Sequence, residues 1–363
     1  MWIARNRNGG WELFSACMRS VVGSLFAASF AAHADRLPQQ AVDTAEAPEI
    51  VLSGRDADSK PLPFYRIASD VYFVYGNIAE VDSKNRGFNG NAGFVVTDRG
   101  VVVIDSLGTP KLGRRLIATV RKVTDKPIKY LILTHNHPDH SYGAVAFRRL
   151  PGVKIVGHVG TLEYLGSDNL TASVAFRRRT LTADMKGFKG VKPDILVGGE
   201  IYSHTNFTLG GKTFAVYNAD HHHSFGDLVV HQVEDRILWI SDLAFNNRST
   251  FMGDGHSSAA LEAIDWMRKT FPDTRLMIPG HGSAQTPPFP MVEKTYSYIK
   301  RLRDEMRAAV EAGQDLESAV RRSDFADWHA TPLYHENHKK NANFIYREME
   351  QEVYFGKYFG GEA

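Results

Sequence analysis

The chain has 363 residues, 43% of them hydrophobic and 23% charged, an ordinary globular composition that excludes a disordered or fibrous protein. Lysine and arginine number 43 against 41 aspartates and glutamates, a net charge of +2, and the surplus lies in residues 1–34 with Arg5, Arg7 and Arg19 against Glu12. The remaining body is neutral and has no global electrostatic footprint for nucleic acid or an anionic membrane, and Cys17, the one cysteine, cannot form an intrachain disulfide.

The first element in chain order is an export signal. Met18-Arg19 leads into an apolar run over residues 21–31, too short to span a bilayer. Ala32-His33-Ala34 then supplies a small-x-small cleavage pattern. A buried helix or a membrane anchor is the alternative reading of that run. Residues 1–17 are polar for a signal start, so either Met18 is the initiator or residues 1–17 extend the basic region. Phe14-Ser15-Ala16-Cys17 is not a lipoprotein box, because the apolar run follows the cysteine. Arg5 and Arg7 are split by Asn6 and make no twin-arginine signal. The expectation is a signal peptide over 1–34, a mature start near Asp35, a periplasmic or secreted location and no stable membrane anchor. Residues 35–62, rich in Pro, Asp and Ala, read as a loose leader.

From Tyr65 onward short β-branched runs alternate with helical spacing. Residues 71–75, 93–96, 101–104, 128–133 and 153–156 read as strands, with a helix over 112–123. Residues 160–190 are polar and basic, and Arg177-Arg178-Arg179 reads as a solvated helix or loop. A second strand series follows at 201–202, 213–217, 228–232, 237–240 and 276–278. Strands alternating with helices over 63–285 predict an α/β layered domain. Beyond Pro290, Val292, Tyr296, Ile299, Leu302, Met306 and Val310 recur every three or four residues, one apolar helix face that ends at Gly313. Residues 316–320 and 344–353 suggest two more helices, so 286–363 form a helical C-terminal extension.

The strand at 131–133 runs into Thr134-His135-Asn136-His137-Pro138-Asp139-His140, a dense cluster of histidine and carboxylate. In an extended segment residues two apart point the same way, so His135 and His137 can reach one metal. Asp139 and His140 follow at a turn and can address a second. Neutral imidazole and carboxylate suit zinc, iron or manganese. Further candidates lie in Asp220-His221-His222-His223-Ser224-Phe225-Gly226-Asp227, at Asp242 in Ile240-Ser241-Asp242-Leu243, and at His281 in Pro279-Gly280-His281. Each falls where a strand ends, which is where α/β folds gather their chemistry. Asp105, also at a strand end, is a candidate acceptor that orients a ligand histidine. His158 is more simply a strand-end histidine than a ligand. Tyr142, Asn91, His335 and His338 are candidates to line the pocket, with packing or surface roles as the alternative.

In this order and spacing the residues resemble the metallo-β-lactamase superfamily: a His-x-His-x-Asp-His run, a distant His, a distant Asp and a final His in a Pro-Gly-His turn. The resemblance covers about residues 65–285 and implies a four-layer αββα sandwich. It puts one metal on His135, His137 and His223, and a second on Asp139, His140 and His281, with Asp242 bridging. His223 is favoured within the triple histidine because a small hydroxyl residue and then x-Gly-Asp follow it. Two zinc ions are the implied cofactors. Cysteine-ligand zinc β-lactamases are excluded, since the mature chain has no cysteine. Flavodiiron reductases, with Glu in place of His137, are disfavoured. Asp242 favours a glyoxalase II or lactonase type of site over the histidine-only β-lactamases. Ser241 departs from the family's usual Gly. The leader, Asn89-Gly90-Asn91 and the helical C-terminus resemble exported quinoprotein relay-type zinc metallohydrolases, a subgroup associated with periplasmic alcohol oxidation.

The expected function is hydrolysis of an ester, thioester, lactone or amide in a small-molecule substrate by metal-bound hydroxide, with Asp139 accepting a proton. No protein nucleophile is required, consistent with the lack of a Gly-x-Ser-x-Gly elbow. The alternatives are a β-lactam hydrolase, a mononuclear iron dioxygenase of the persulfide type, and a metal-binding or substrate-carrying module without catalysis.

Overall fold

The computed structural model describes residues 41–356. The expected export signal lies outside the described residues. A first sheet contains β1 (Tyr65–Ala68), β2 (Val71–Val74), β3 (Ala92–Thr97), β4 (Gly100–Ile104), β5 (Ile128–Ile132), β6 (Lys154–His158) and β7 (Ile195–Val197), in that spatial order. A second contains β8 (His204–Leu209), β9 (Lys212–Asn218), β10 (Leu228–Gln232), β11 (Ile237–Ser241) and β12 (Leu276–Pro279). Between and beyond them lie α1 (Pro110–Val123), α2 (Pro138–Ser141), α3 (Ala144–Phe147), α4 (Thr161–Gly166), α5 (Asp168–Leu181) and α6 (Ser257–Thr270). The chain then runs through α7 (Pro290–Glu311), α8 (Leu316–Arg322) and α9 (Tyr334–Phe355).

Side-chain alternation builds the layers. On β4, Val102 and Ile104 face the second sheet, while Val101 and Val103 face Leu112, Leu116 and Val120 of α1. On β11, Ile237 and Trp239 meet the first sheet, while Leu238 and Ile240 meet Ala263, Ile264 and Met267 of α6. Two sheets pack face to face with helices outside, the four-layer αββα arrangement that the sequence predicts. Beyond the sandwich, α7, α8 and α9 share a separate core around Ile299, Leu302, Met306, Ala342 and Ile345. Gly313, just past α7, has φ +65°, the left-handed stop its position predicts.

Three local expectations need correction. The strand expected at 201–202 is a turn: Tyr202 has φ +65° and Ile201 is exposed, and the strand is β8, whose polar outward face hides its period. The leader is not loose from residue 41 on, because Ala41 is buried, Val42 bridges to Ala284 and Leu62 sits in the core under α1. Arg177 is buried, donating to the Gly108 carbonyl at 3.1 Å, while Arg178 and Arg179 are exposed as expected. No helix among the described residues is long and apolar enough to cross a membrane.

Candidate metal centre

Strands β4, β5, β11 and β12 end at one edge of the sandwich. β4 and β5 run parallel, as do β11 and β12, so the residues just past them come together: Asp105 after β4, His135 and His137 after β5, Asp242 after β11 and His281 after β12. The short helix α2 carries Asp139 and His140, and the β9–β10 loop carries His223. Gly280 permits the last approach, because a Cβ there would sit 1.9 Å from Asp242 Oδ1.

The seven predicted residues fall into two adjoining groups. His135, His137, His223 and Asp242 form one, and Asp139, His140 and His281 the other, with donor atoms inside each group within 4.8 Å of one another. Asp242 Oδ2 reaches both, lying 3.1 Å from His223 Nε2 and 3.3 Å from His281 Nε2. His140 Nε2 lies 3.4 Å from His281 Nε2 and 3.6 Å from Asp242 Oδ1. His221 and His222 belong to neither group. His222 is buried with neither ring nitrogen hydrogen-bonded, Nδ1 lying 3.9 Å from Asp227 Oδ2, and His158 is held by Asn218 Oδ1 at 2.9 Å and by the Gly160 amide.

These residues fit divalent cations by one test on the protein alone. Buried polar atoms are normally paired, yet His135 Nε2, His223 Nδ1 and Asp242 Oδ1 are buried without a hydrogen-bond partner. Imidazoles packed ring against ring, with His135 centroids 4.4 Å from His140 and 4.8 Å from His137, would repel if charged. Burial and the neighbouring His140 accordingly hold the His135 pKa well below its usual value.

An outer layer fixes the rings. Asp105 Oδ2 accepts from His140 Nδ1 at 2.9 Å, as the sequence suggested, and Asp105 Oδ1 also takes the Thr134 amide at 2.8 Å. Burial opposes charge on His140, but Asp242, Asp139 and Asp105 together overcome it and raise its pKa to about 9. Burial likewise opposes charge on Asp139, while His140, His281 and Arg177 hold its carboxyl below the usual range. His281 Nδ1 is bound to the Asn89 carbonyl at 2.8 Å, and Asn89 Nδ2 donates to Asp139 Oδ2 at 3.0 Å. Thr134 and Ser241 hydroxyls each lie 3.1 Å from His135 Nδ1. Ser241 does this at φ +47°, a conformation that favours glycine, so its hydroxyl adds a contact glycine could not make.

Sequence reading missed Asp254. Its Oδ2 lies 3.0 Å from His137 Nε2, and its Oδ1 accepts from Asn169 at 3.2 Å. It sits in an irregular loop with no motif, and only the fold brings it to the histidine. Asn91 borders a small cavity with Asp105, Thr134 and Ser241, and its side chain is engaged with backbone. It binds the Pro279 and Gly282 carbonyls and the Gly76 amide, tying the two sheets together beneath the site. Tyr142 hydrogen-bonds Tyr164 at 2.9 Å, and His338 lies in the C-terminal helices.

The sequence profile of the metallo-beta-lactamase superfamily matches residues 85–281, from the loop before β3 to the last histidine of the cluster. This chain belongs to the metallo-beta-lactamase superfamily. Among curated superfamily relatives, the type 2 metallo-beta-lactamase of Elizabethkingia meningoseptica is 25% identical over 235 residues, covering 63% of this chain and 84% of that protein. A linear primary-alkylsulfatase of Pseudomonas sp. (strain ATCC 19151) is 42% identical over 48 residues, only 13% of this chain and 9% of that protein. Among solved structures, the stereoselective inverting sec-alkylsulfatase of Pseudomonas sp. superposes with a TM-score of 0.61 at 18% identity, over 83% of this chain and 51% of that one. This chain therefore spans about half of that enzyme and shares its fold.

Proposed function

We propose that this protein is an exported dinuclear zinc hydrolase of a small-molecule ester, thioester, lactone or amide. The observation that carries this reading is the pair of adjoining donor groups with Asp242 Oδ2 within 3.3 Å of a histidine in each. His135, His137 and His223 would hold one ion and Asp139, His140 and His281 the other, with Asp242 between them. Divalent ions held there would supply a water acidic enough to ionise near neutral pH, at a pKa of about 7, and would polarise a carbonyl oxygen. The chain's own residues do the rest. Asp105, the Asn89 carbonyl and Asp254 each take a ring nitrogen, fixing which nitrogen of His140, His281 and His137 faces inward. Asp139, steadied by Asn89 and held ionised by its histidines, is the group placed to accept a proton from the nucleophile. Three features support direct hydrolysis: no Gly-x-Ser-x-Gly elbow, no cysteine beyond Cys17, and a complete donor set.

The similarity to type 2 metallo-beta-lactamases over most of their length keeps a β-lactam amide as a second reading. Asp242 between the two groups supports the first. Turnover in oxygen-18 water, run beside an ester, thioester, lactone and β-lactam panel, tests both. Label in the product without a burst phase, lost on chelation and restored by zinc, is the expected result. A trapped acyl-enzyme or oxygen-dependent turnover with iron would contradict it. Export, with cleavage near Asp35 and a place beside periplasmic quinoprotein systems, is checked by terminal sequencing of protein from the periplasmic fraction. An uncut N-terminus on cytosolic protein would contradict that part.

A further inference from the structure

Residues 249–256, the last part of the connection from β11 to α6, contain no helix or strand, and no backbone hydrogen bond joins two of these described residues to each other. Backbone polar groups need partners, so a segment that supplies none to itself is shaped by whatever supplies them. Here the C-terminal helices do. The Ser249 amide donates to the Pro332 carbonyl at 2.8 Å. Asn341 of α9 accepts the Met252 amide on Oδ1 at 3.0 Å and donates from Nδ2 to the Thr250 carbonyl at 2.9 Å. Glu348, further along α9, accepts the Ser257 amide on both carboxylate oxygens at 3.1 Å. The Met252 side chain is buried in the core that α7 and α9 share, and the Phe251 ring meets Phe344 of α9 edge-on, with centroids 6.1 Å apart.

Between these anchors the loop meets the first donor group. Asp254 Oδ2 lies 3.0 Å from His137 Nε2. Gly255 packs on the chain that carries His223: a Cβ there would sit 2.5 Å from the His222 carbonyl oxygen and from the His223 amide nitrogen. The His256 amide donates to the His221 carbonyl at 3.0 Å. One short stretch therefore supports two of the group's three histidines, His137 through a carboxylate and His223 through close packing behind its backbone. The second group takes its outer partners from the sandwich itself, with Asp105 on His140 and the Asn89 carbonyl on His281.

We propose, on the metallohydrolase reading above, that Asn341 and Glu348 are positioning residues for the first donor group, acting through the loop that presses Asp254 against His137. They fix the chain on either side of Asp254, which sets its reach to His137 and the backing of His223. A histidine whose outer nitrogen is bound offers its other nitrogen in one orientation, and losing that partner weakens its bond to an ion. The helical extension is then part of the framework of the metal centre. Asn341 belongs to both regions, since its Nδ2 also lies 3.1 Å from the Tyr298 hydroxyl in the helical core.

The test uses the full chain, first metal-free and then zinc-loaded, with Asn341→Ala and Glu348→Gln beside wild type, Asp254→Asn and Val310→Ala. Val310 is buried in the same helical core at the C-terminal end of α7, so its variant reports general weakening of that core. In metal-free protein, amide hydrogen exchange should quicken over 249–257 and at His223 in Asn341→Ala, with a smaller change in the same direction in Glu348→Gln and none there in Val310→Ala. With zinc, competition with a chromophoric chelator should show Asn341→Ala losing affinity by up to the roughly tenfold expected of Asp254→Asn. Nitrogen-15 NMR of labelled histidine should place that change on His135, His137 and His223 and leave His140 and His281 as in wild type. The double variant Asn341→Ala/Asp254→Asn should bind zinc within about twofold of Asp254→Asn alone, because both substitutions act through one contact. Zinc affinity in Asn341→Ala no lower than in Val310→Ala, additive losses in the double variant, or a change centred on His140 and His281 would each overturn the proposal. If wild type binds no zinc, the metallohydrolase reading fails, while quickened exchange at His223 in metal-free Asn341→Ala still supports the positioning role and unchanged exchange there overturns it.

Discussion

The buried histidine of the C-terminal helices and those of the sheet edge are satisfied in different ways. In the C-terminal helices, His338 has the Tyr298 hydroxyl 3.0 Å from Nδ1 and the Ser323 hydroxyl 3.0 Å from Nε2. Tyr298 is in turn bound by Asn341, so the network closes on itself. At the sheet edge, His135 Nε2 and Asp242 Oδ1 are buried with no hydrogen-bond partner, and the side chains next to those atoms are themselves metal-ligand types. Leaving a buried polar atom unmatched costs about 1–3 kcal/mol, so unmatched atoms gathered among ligand-type side chains point to a partner from outside the chain. The first setting is complete as protein. The second is the cluster that we propose cations complete.

Perturbing the unfinished cluster should therefore hurt function with little effect on folding, and perturbing the finished one should do the reverse. Asp242→Ala should have the largest effect. It removes the carboxylate that touches both groups, so the second ion should be lost before the first. Hydrolysis should fall by more than the roughly 10–100-fold that loss of an outer partner costs. His223→Ala should come close behind, and His222→Ala should cost much less because His222 lies outside both donor groups. Equal losses at the two positions would mean that the wrong histidine carries the bond. Asp105→Asn and Asp254→Asn leave every proposed ligand in place and should weaken zinc affinity by roughly tenfold each, read by competition with a chromophoric chelator.

The smallest effect belongs to the finished cluster and is one of stability. Burial, reinforced by Lys339, pushes the His338 pKa down to about 4 from its ordinary 6.5. Between those values the unfolded chain takes up a proton that the folded chain does not, so stability is full above about 6.5 and falls as pH drops toward 4. His338→Gln should flatten that slope in melting curves at pH 7 and 5, leaving zinc content unchanged. A variant melting with the same pH slope as wild type would contradict the assignment.

The proposed metal ligands were legible as a cluster because their chemistry is concentrated in sequence: His135, His137, Asp139 and His140 lie within six residues at a strand end. The sandwich was legible because strands such as β4 and β10 alternate cleanly between two cores. What escaped depends on contacts distant in sequence. His137 and Asp254 are 117 residues apart, and Asn89 meets His281 across 192. The Arg177 run looked solvated because one buried arginine among exposed neighbours has no period to announce it. β8 escaped because four of its six residues, His204, Thr205, Asn206 and Thr208, face solvent.

The central claim is that the unpartnered donors at the sheet edge form a two-ion site. Metal-depleted full-length protein titrated with zinc, with bound ions per chain counted by mass spectrometry under native conditions, tests it most directly. Wild type should saturate at two zinc ions per chain, Asp242→Ala should retain fewer than two, and His338→Gln should match wild type. Saturation of the wild type at a single ion, or binding of two ions undiminished in Asp242→Ala, would contradict the account.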